Sequence, residues 1–209
     1  MSSLIKYLSI LLSLFLLACS HAKQHAAVPT GATVLVLGDS ISYGTGANAG
    51  EDYPSLLAKK TGWNIINAGV SGDTTEMGLA RLPELLEANS LKLVLVELGG
   101  NDFLHQVPRA QTTANLKKIL AIIKQKQIPT ILLAIPKASL FGAAVGNLSD
   151  DTMYEQLGKE TDTAVIPEEL AKVLGQNDLK SDPIHPNALG YQALAKALNE
   201  ALKVQGFVK

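Results

Sequence analysis

Thr33-Val34-Leu35-Val36-Leu37-Gly38-Asp39-Ser40-Ile41 is the stretch from which the rest of the chain is read. Five β-favouring residues lie between the Pro29 and Gly31 punctuation and Gly38, so residues 33–37 read as a buried strand. Gly38 permits a sharp turn. Ser40 is then presented just past the strand's carboxyl end, where open α/β sheets bind ligands. Taken alone, Asp39 and Ser40 read equally well as an ordinary turn and helix cap.

Outward from this turn, helix and strand patterns alternate. Asp52-Tyr53-Pro54 opens a helix that runs through Lys60 and stops at Gly62. Asn64–Asn67 reads as a short strand, and Asp73 as the N-cap of a helix bearing Met77, Leu79, Leu82, Leu85 and Leu86. Leu91 to Leu98 is the strongest strand signal, followed at once by Gly99-Gly100-Asn101-Asp102. Helical spacing covers Thr113–Lys126, a fourth strand Thr130–Ala134, a helix Tyr154–Glu160 and a fifth strand Ala164–Ile166. The final helix runs from about Asn187 to Val204, with Leu189, Ala193, Leu194, Ala197, Leu198 and Leu202 expected to face the core. This alternation predicts a parallel sheet covered on both faces.

The chain has 209 residues, 47% hydrophobic and 18% charged, which suits one domain with a sizeable core. Eighteen Lys plus Arg against nineteen Asp plus Glu leave no basic excess, which argues against a nucleic-acid partner. Residues 1–18 stand apart from the fold. Lys6 precedes an apolar run, Tyr7 to Leu17, too short for a membrane span of about 20 residues but suited to a secretory signal. Leu16-Leu17-Ala18-Cys19 resembles the lipobox of bacterial lipoproteins. That resemblance implies cleavage before Cys19 and lipidation of its sulfur and new amino group, hence a membrane anchor. Ser20 after the cysteine implies sorting to the outer membrane, facing the periplasm. The competing reading is cleavage after Ala22, which gives a soluble periplasmic protein. Cys19 is the only cysteine, so no internal disulfide is expected. Residues 19–31 read as a flexible tether and 32–206 as the domain.

Four polar clusters sit at a strand end or before a helix: Ser40, Gly72, Asn101 and Asp182-Pro183-Ile184-His185. A parallel sheet brings the first three to one edge. Nucleophilic acyl transfer needs a hydroxyl, a base, a group to orient that base, and oxyanion donors. His21 and His25 lie in the tether and His105 in a loop, which leaves His185 as the best candidate base. By itself it also reads as a surface histidine beside two prolines. Asp182, three residues earlier, can reach the imidazole through one tight turn and fix its tautomer. The Gly72 N–H and the Asn101 amide suit an oxyanion, though separately they read as a turn residue and a cap. Asp39 and Asp102 read as hydrogen-bonding loop residues, and Ser42 and Ser71 as spare hydroxyls. No spacing of His, Cys and carboxylates suggests a metal.

Gly38-Asp39-Ser40-Ile41, Gly69-Val70-Ser71-Gly72-Asp73-Thr74, Gly99-Gly100-Asn101-Asp102 and Asp182-x-x-His185-Pro186 are similar, in order and spacing, to the four blocks of the SGNH (GDSL) hydrolases. Arg81-Leu82-Pro83 and Val96-Glu97-Leu98 resemble the branch of bacterial thioesterase I/lysophospholipase and arylesterase. The resemblance implies a flavodoxin-like, three-layer α/β/α sandwich without a cofactor. It implies Ser40, Asp182 and His185 as catalytic residues, and Ser40, Gly72 and Asn101 as the oxyanion hole. The implied activity is that of a serine esterase working through an acyl-enzyme on small-molecule acyl or aryl esters, with lysophospholipids and thioesters within range. Alternatives are a carbohydrate O-deacetylase and a lipid-anchored binding protein with an idle hydrolase fold. Ile41 departs from the usual Leu by a near-isosteric swap. Phe103-Leu104-His105 replaces the Gly-Leu-Arg common in this branch. The α/β-hydrolase elbow is excluded, because Gly-x-Ser-x-Gly needs a glycine where Ser42 stands. Segment 137–152, partly apolar around Ala143 and Ala144, is expected to cover the acyl pocket.

Overall fold

The computed structural model describes residues 25–87, 90–137 and 146–209. Five parallel strands form its centre: β1 (Thr33–Gly38), β2 (Asn64–Gly69), β3 (Leu91–Glu97), β4 (Thr130–Leu133) and β5 (Ala164–Ile166). Their order is β2-β1-β3-β4-β5, so the chain reverses its direction of travel between β1 and β3. At that point Gly38 registers with Gly69 on one side and Glu97 on the other.

The described helices are α1 (Ser40–Tyr43), α2 (Tyr53–Thr61), α3 (Thr75–Glu87), α4 (Gly100–Leu104), α5 (Arg109–Gln125), α6 (Met153–Thr161), α7 (Glu169–Leu174) and α8 (Ala188–Val204). α8 packs against α2 and α7 on one face of the sheet, while α5 packs against α3 and α6 on the other. The result is the flavodoxin-like three-layer α/β/α sandwich. A sheet covered on both faces has no polar side, so the middle of each central strand is apolar. Val34–Leu37, Leu93–Val96 and Ile131–Leu133 accordingly expose no more than 1% of their surface.

Several local expectations are revised. Asp73 does not cap α3: its carboxylate accepts from Arg81 Nε at 2.7 Å, and Thr74 Oγ1 accepts from Met77 N instead. A half-buried ion pair with a residue two turns on is available to Asp73, and it wins over a neutral cap. Leu189 is 60% exposed, because the apolar stripe of α8 runs through Tyr191, Leu194, Leu198 and Leu202 and passes it by. α5 begins at Arg109, directly after Pro108, a turn earlier than its apolar spacing suggests. Residues 25–31 are docked rather than free. His25 N donates to Gln205 O at 3.1 Å and its ring stacks on Phe207 at 4.3 Å. Val28 N donates to Phe207 O at 2.8 Å, and Trp63 Nε1 donates to Val28 O at 3.2 Å. Phe207 is fully buried, so the packed unit extends past both expected limits, 32 and 206. The signal peptide and Cys19, like Ala143 and Ala144, lie outside the described residues.

Candidate active site

Gly38 ends β1 beside Glu97, where a Cβ would stand 1.9 Å from Ser42 Oγ and 2.9 Å from Glu97 Oε2. Only glycine leaves room for Ser42 and Glu97 to pack this closely against the strand end. Asp39 follows, buried, and its Oδ1 accepts from Ile41 N at 3.0 Å to start α1. Ser40, the first residue of α1, thereby presents its hydroxyl at the carboxyl edge of the sheet.

The loop before α8 delivers the partner groups. Ser181 N donates to His185 O at 3.0 Å and Asn187 N to Leu179 O at 2.9 Å, which closes the loop over Ser40. Asp182 Oδ1 accepts from the backbone N–H of Ile184 and of His185, each at 2.9 Å, an Asx-type turn. Its other oxygen, Oδ2, is left to accept from His185 Nδ1–H at 2.7 Å. Burial alone would raise the Asp182 carboxyl. Hydrogen bonds from the His185 ring and from the Ile184 and His185 N–H groups outweigh it and hold the carboxyl below the ordinary range. With Nδ1 carrying the hydrogen, His185 Nε2 offers its lone pair to Ser40 Oγ–H at 3.0 Å.

Donors gather from two other strand ends. Gly72, in the loop after β2, has φ +88°, a left-handed conformation that favours glycine. Among the described residues neither its N–H nor that of Ser40 has a protein acceptor. Asn101 enters from α4, after β3; its Nδ2 donates to Asp73 O at 2.9 Å and to Asp39 Oδ2 at 3.2 Å. Arg81 ties the β2 loop to β1, with Nε on Asp73 Oδ2 at 2.7 Å and Nη2 on Gly38 O at 3.0 Å. Asp102 is a joint, buried and accepting from Thr75 N at 2.8 Å and Thr75 Oγ1 at 2.5 Å. The spare hydroxyls are engaged elsewhere: Ser42 Oγ donates to Glu97 Oε2 at 2.7 Å, and Ser71 Oγ pairs with Thr45 Oγ1 at 3.1 Å.

Residues 36–193 match the GDSL-like Lipase/Acylhydrolase family. The chain belongs to that family. Thioesterase 1/protease 1/lysophospholipase L1 of Escherichia coli (strain K12) is 38% identical over 160 residues, 74% of this chain and 76% of that protein. An arylesterase of Vibrio mimicus is 34% identical over 182 residues, covering 84% of this chain and 88% of that one. The crystal structure of TesA matches with a TM-score of 0.73 at 32% identity, over 83% of this chain and 99% of that chain.

In this member of the GDSL family, Ser40, Asn101 and His185 line a cavity of about 240 Å³. Its walls are apolar, from Phe103, Ile135, Leu148, Leu170, Leu174 and Ile184. Gly72 is not part of the lining; it adjoins Asp73, whose carbonyl accepts from Asn101. Lys137 and Leu148, near the two ends of segment 137–152, do line it. Sequence reasoning missed Glu97, which is fully buried behind Asp39. The available signal was an acid at the end of a strand whose interior is otherwise apolar. Burial pushes the Asp39 carboxyl up to about 6, against the pull of the Ile41 N–H, Glu97 and the charge of His185. Burial, then the Asp39 charge, pushes Glu97 well above the ordinary carboxylate range.

Proposed function

We propose that this carboxylic ester hydrolase works through an acyl-enzyme on Ser40, with His185 as general base and Asp182 as its orienting partner. One observation carries the reading: Asp182 Oδ2, His185 Nδ1, His185 Nε2 and Ser40 Oγ form an unbroken chain, with links of 2.7 and 3.0 Å, at an apolar cavity. As Ser40 Oγ attacks the acyl carbonyl, its proton passes to His185 Nε2 and the Asp182 carboxylate balances the imidazolium. The N–H groups of Ser40 and Gly72 and the Asn101 amide take the developing oxyanion. For Asn101 this means giving up the longer of its two contacts, the 3.2 Å bond to Asp39. His185 then protonates the leaving alcohol, and a water activated by the same base frees the acid.

The acyl group takes the apolar cavity. At roughly 30 Å³ per water-sized group, 240 Å³ holds about eight such groups, a short to medium acyl chain. A bare acetyl makes little use of such a wall, which supports acyl esters over O-acetylated carbohydrate. The proposal extends to location: the lipobox-like Leu16-Leu17-Ala18-Cys19 supports a lipid anchor on Cys19 and an outer-membrane position facing the periplasm.

The test is hydrolysis of a short-chain chromogenic ester by wild type and Ser40→Ala, with a fluorophosphonate probe in parallel. Wild type turns the ester over and is labelled at Ser40. Ser40→Ala loses activity by a factor of about 10⁴ or more while unfolding at nearly the wild-type temperature. Labelling at Ser42 or Ser71, or an active Ser40→Ala, rejects the assignment.

A further inference from the structure

Glu97 has a surrounding that the acyl-enzyme chemistry leaves unused. It closes β3 with its side chain wholly out of water, and it lies in the lining behind Ser40. Its Oε2 accepts from Ser42 Oγ at 2.7 Å, from Ser42 N at 3.2 Å and from Asp39 N at 3.4 Å. Those two backbone donors stand on either side of Ser40. Its Oε1 is buried with no partner among the described residues. Ser42 Oγ also pairs with Tyr53 Oη at 2.8 Å. On the other side lies Asp39, whose N–H is on Glu97 Oε2 and whose carboxylate accepts from Asn101 Nδ2 at 3.2 Å. A single polar chain therefore runs Tyr53–Ser42–Glu97–Asp39–Asn101, from α2 to the amide assigned to the oxyanion.

We propose that Glu97 is a positioning residue that works as a neutral acid, holding the turn on both sides of Ser40 and lending its proton to Asp39. The inference rests on the acyl-enzyme reading and deepens it. Two neighbouring carboxyls sealed from water do not both ionise, since the second charge is repelled by the first and solvated by nothing. Among the described residues no Lys or Arg donates to either carboxyl, so the pair carries one charge at most. The titratable groups that face Glu97 are Asp39 from the β1–α1 turn, Tyr53 from α2, Tyr154 from α6 and Tyr191 from α8. Burial raises all three phenols, so each stays neutral. Asp73 and His185 act on the pair through Asp39. A neutral Glu97 that donates to an ionised Asp39 lightens Asp39's hold on Asn101 and leaves the amide free to turn to the oxyanion. An ionised Glu97 has no proton to lend and repels the Asp39 carboxylate, which then leans on the Asn101 amide.

The experiment measures kcat and KM for p-nitrophenyl butyrate from about pH 5 to pH 10, with full-length wild type, Glu97→Gln and Glu97→Ala. Glu97→Ala lowers kcat on the order of tenfold to a hundredfold, with KM within about twofold. Glu97→Gln has the same shape, with an amide N–H in place of the acid O–H. It restores kcat at pH 7 to within about threefold of wild type and abolishes the alkaline fall that wild type shows as Glu97 ionises. A Gln variant as damaged as the Ala variant shows that the site needs a charged carboxylate, and overturns the proposal. So does a Gln variant that keeps the wild-type alkaline fall, or an Ala variant that melts earlier yet turns over normally. Should Glu97→Ala fail to fold, the Gln profile decides alone. Failure of the acyl-enzyme reading is visible separately, as activity surviving in Ser40→Ala.

Discussion

Ser40 and Ser42 stand two positions apart and do opposite things. On a helical turn those positions lie nearly opposite each other, so one hydroxyl meets His185 and the other is sealed against Glu97 and Tyr53. The sealed side carries a stability penalty. The Asp39 carboxyl, ordinarily near 3.8, is pushed up to about 6 chiefly by burial, so the folded state holds its proton more tightly than the unfolded chain does. Its favourable contribution is complete below 3.8 and is lost as pH rises through about 6; the displacement corresponds to roughly 3 kcal/mol. Asp39→Asn cannot ionise, so relative to wild type it should be more stable at pH 8, by up to about that amount, and gain little at pH 4. Urea unfolding at the two pH values reads this, and an equal difference at both would refute it. Gain of stability with loss of turnover is the expected trade at such a site. In the sequence Asp39 was visible as a turn residue and Glu97 only as a charge in an apolar strand. What joins them is register between β1 and β3, which no local pattern encodes.

At the scale of elements, legibility followed length. All five strands stand out as apolar runs bounded by Gly, Pro or Asn, and the longer helices as periodic stripes, because burial on a sheet or helix face forces those periods. α1, α4 and α7 hold four, five and six residues, too few to show a period. α1 begins with Ser40 and α4 carries Asn101, so the site was found through its motifs and not through its elements. α7 had no motif to reveal it, yet it supplies Leu170 and Leu174 to the cavity wall, both nearly inaccessible to solvent. A larger side chain on α7 should therefore shorten the acyl chain the enzyme accepts. For Leu174→Trp, kcat/KM on hexanoyl and octanoyl esters should fall at least tenfold relative to acetyl ester, at a stability loss of about 1–3 kcal/mol from overpacking. A series of p-nitrophenyl esters measures the profile, and an unchanged chain-length preference would place the acyl group elsewhere.

For the whole molecule, the relation of entry point to active site is set by the parallel sheet. Ser40, Asn101 and the His185 loop lie at the carboxyl edge, whereas residues 25–31 dock at the amino edge, beside Gly62, Gln205 and Phe207. β1 spans about 20 Å between those edges and α8 about 25 Å. Only five residues, 20–24, separate Cys19 from the docked His25, a reach of about 20 Å when extended. The lipid anchor proposed on Cys19 would therefore hold the domain by the edge opposite its cavity mouth. The expected consequence is an enzyme that works on esters arriving from the aqueous side and poorly on lipids of its own bilayer. Cells making wild type should yield a membrane-bound protein that takes up labelled palmitate, and Cys19→Ala a soluble, unlabelled one. Purified wild type on vesicles should match Cys19→Ala in hydrolysing a soluble chromogenic ester, and should gain nothing on lysophospholipid in the vesicle that carries it. Inserting about 20 Gly/Ser residues after Ser20 lets the domain turn over, and should raise that lipid activity severalfold while soluble-ester turnover stays constant. Wild type recovered soluble, unlabelled and starting at His21 or later would remove the anchor and leave a free periplasmic esterase. Labelled wild type that already attacks its own bilayer as fast as the long-tether variant would keep the anchor and refute the orientation.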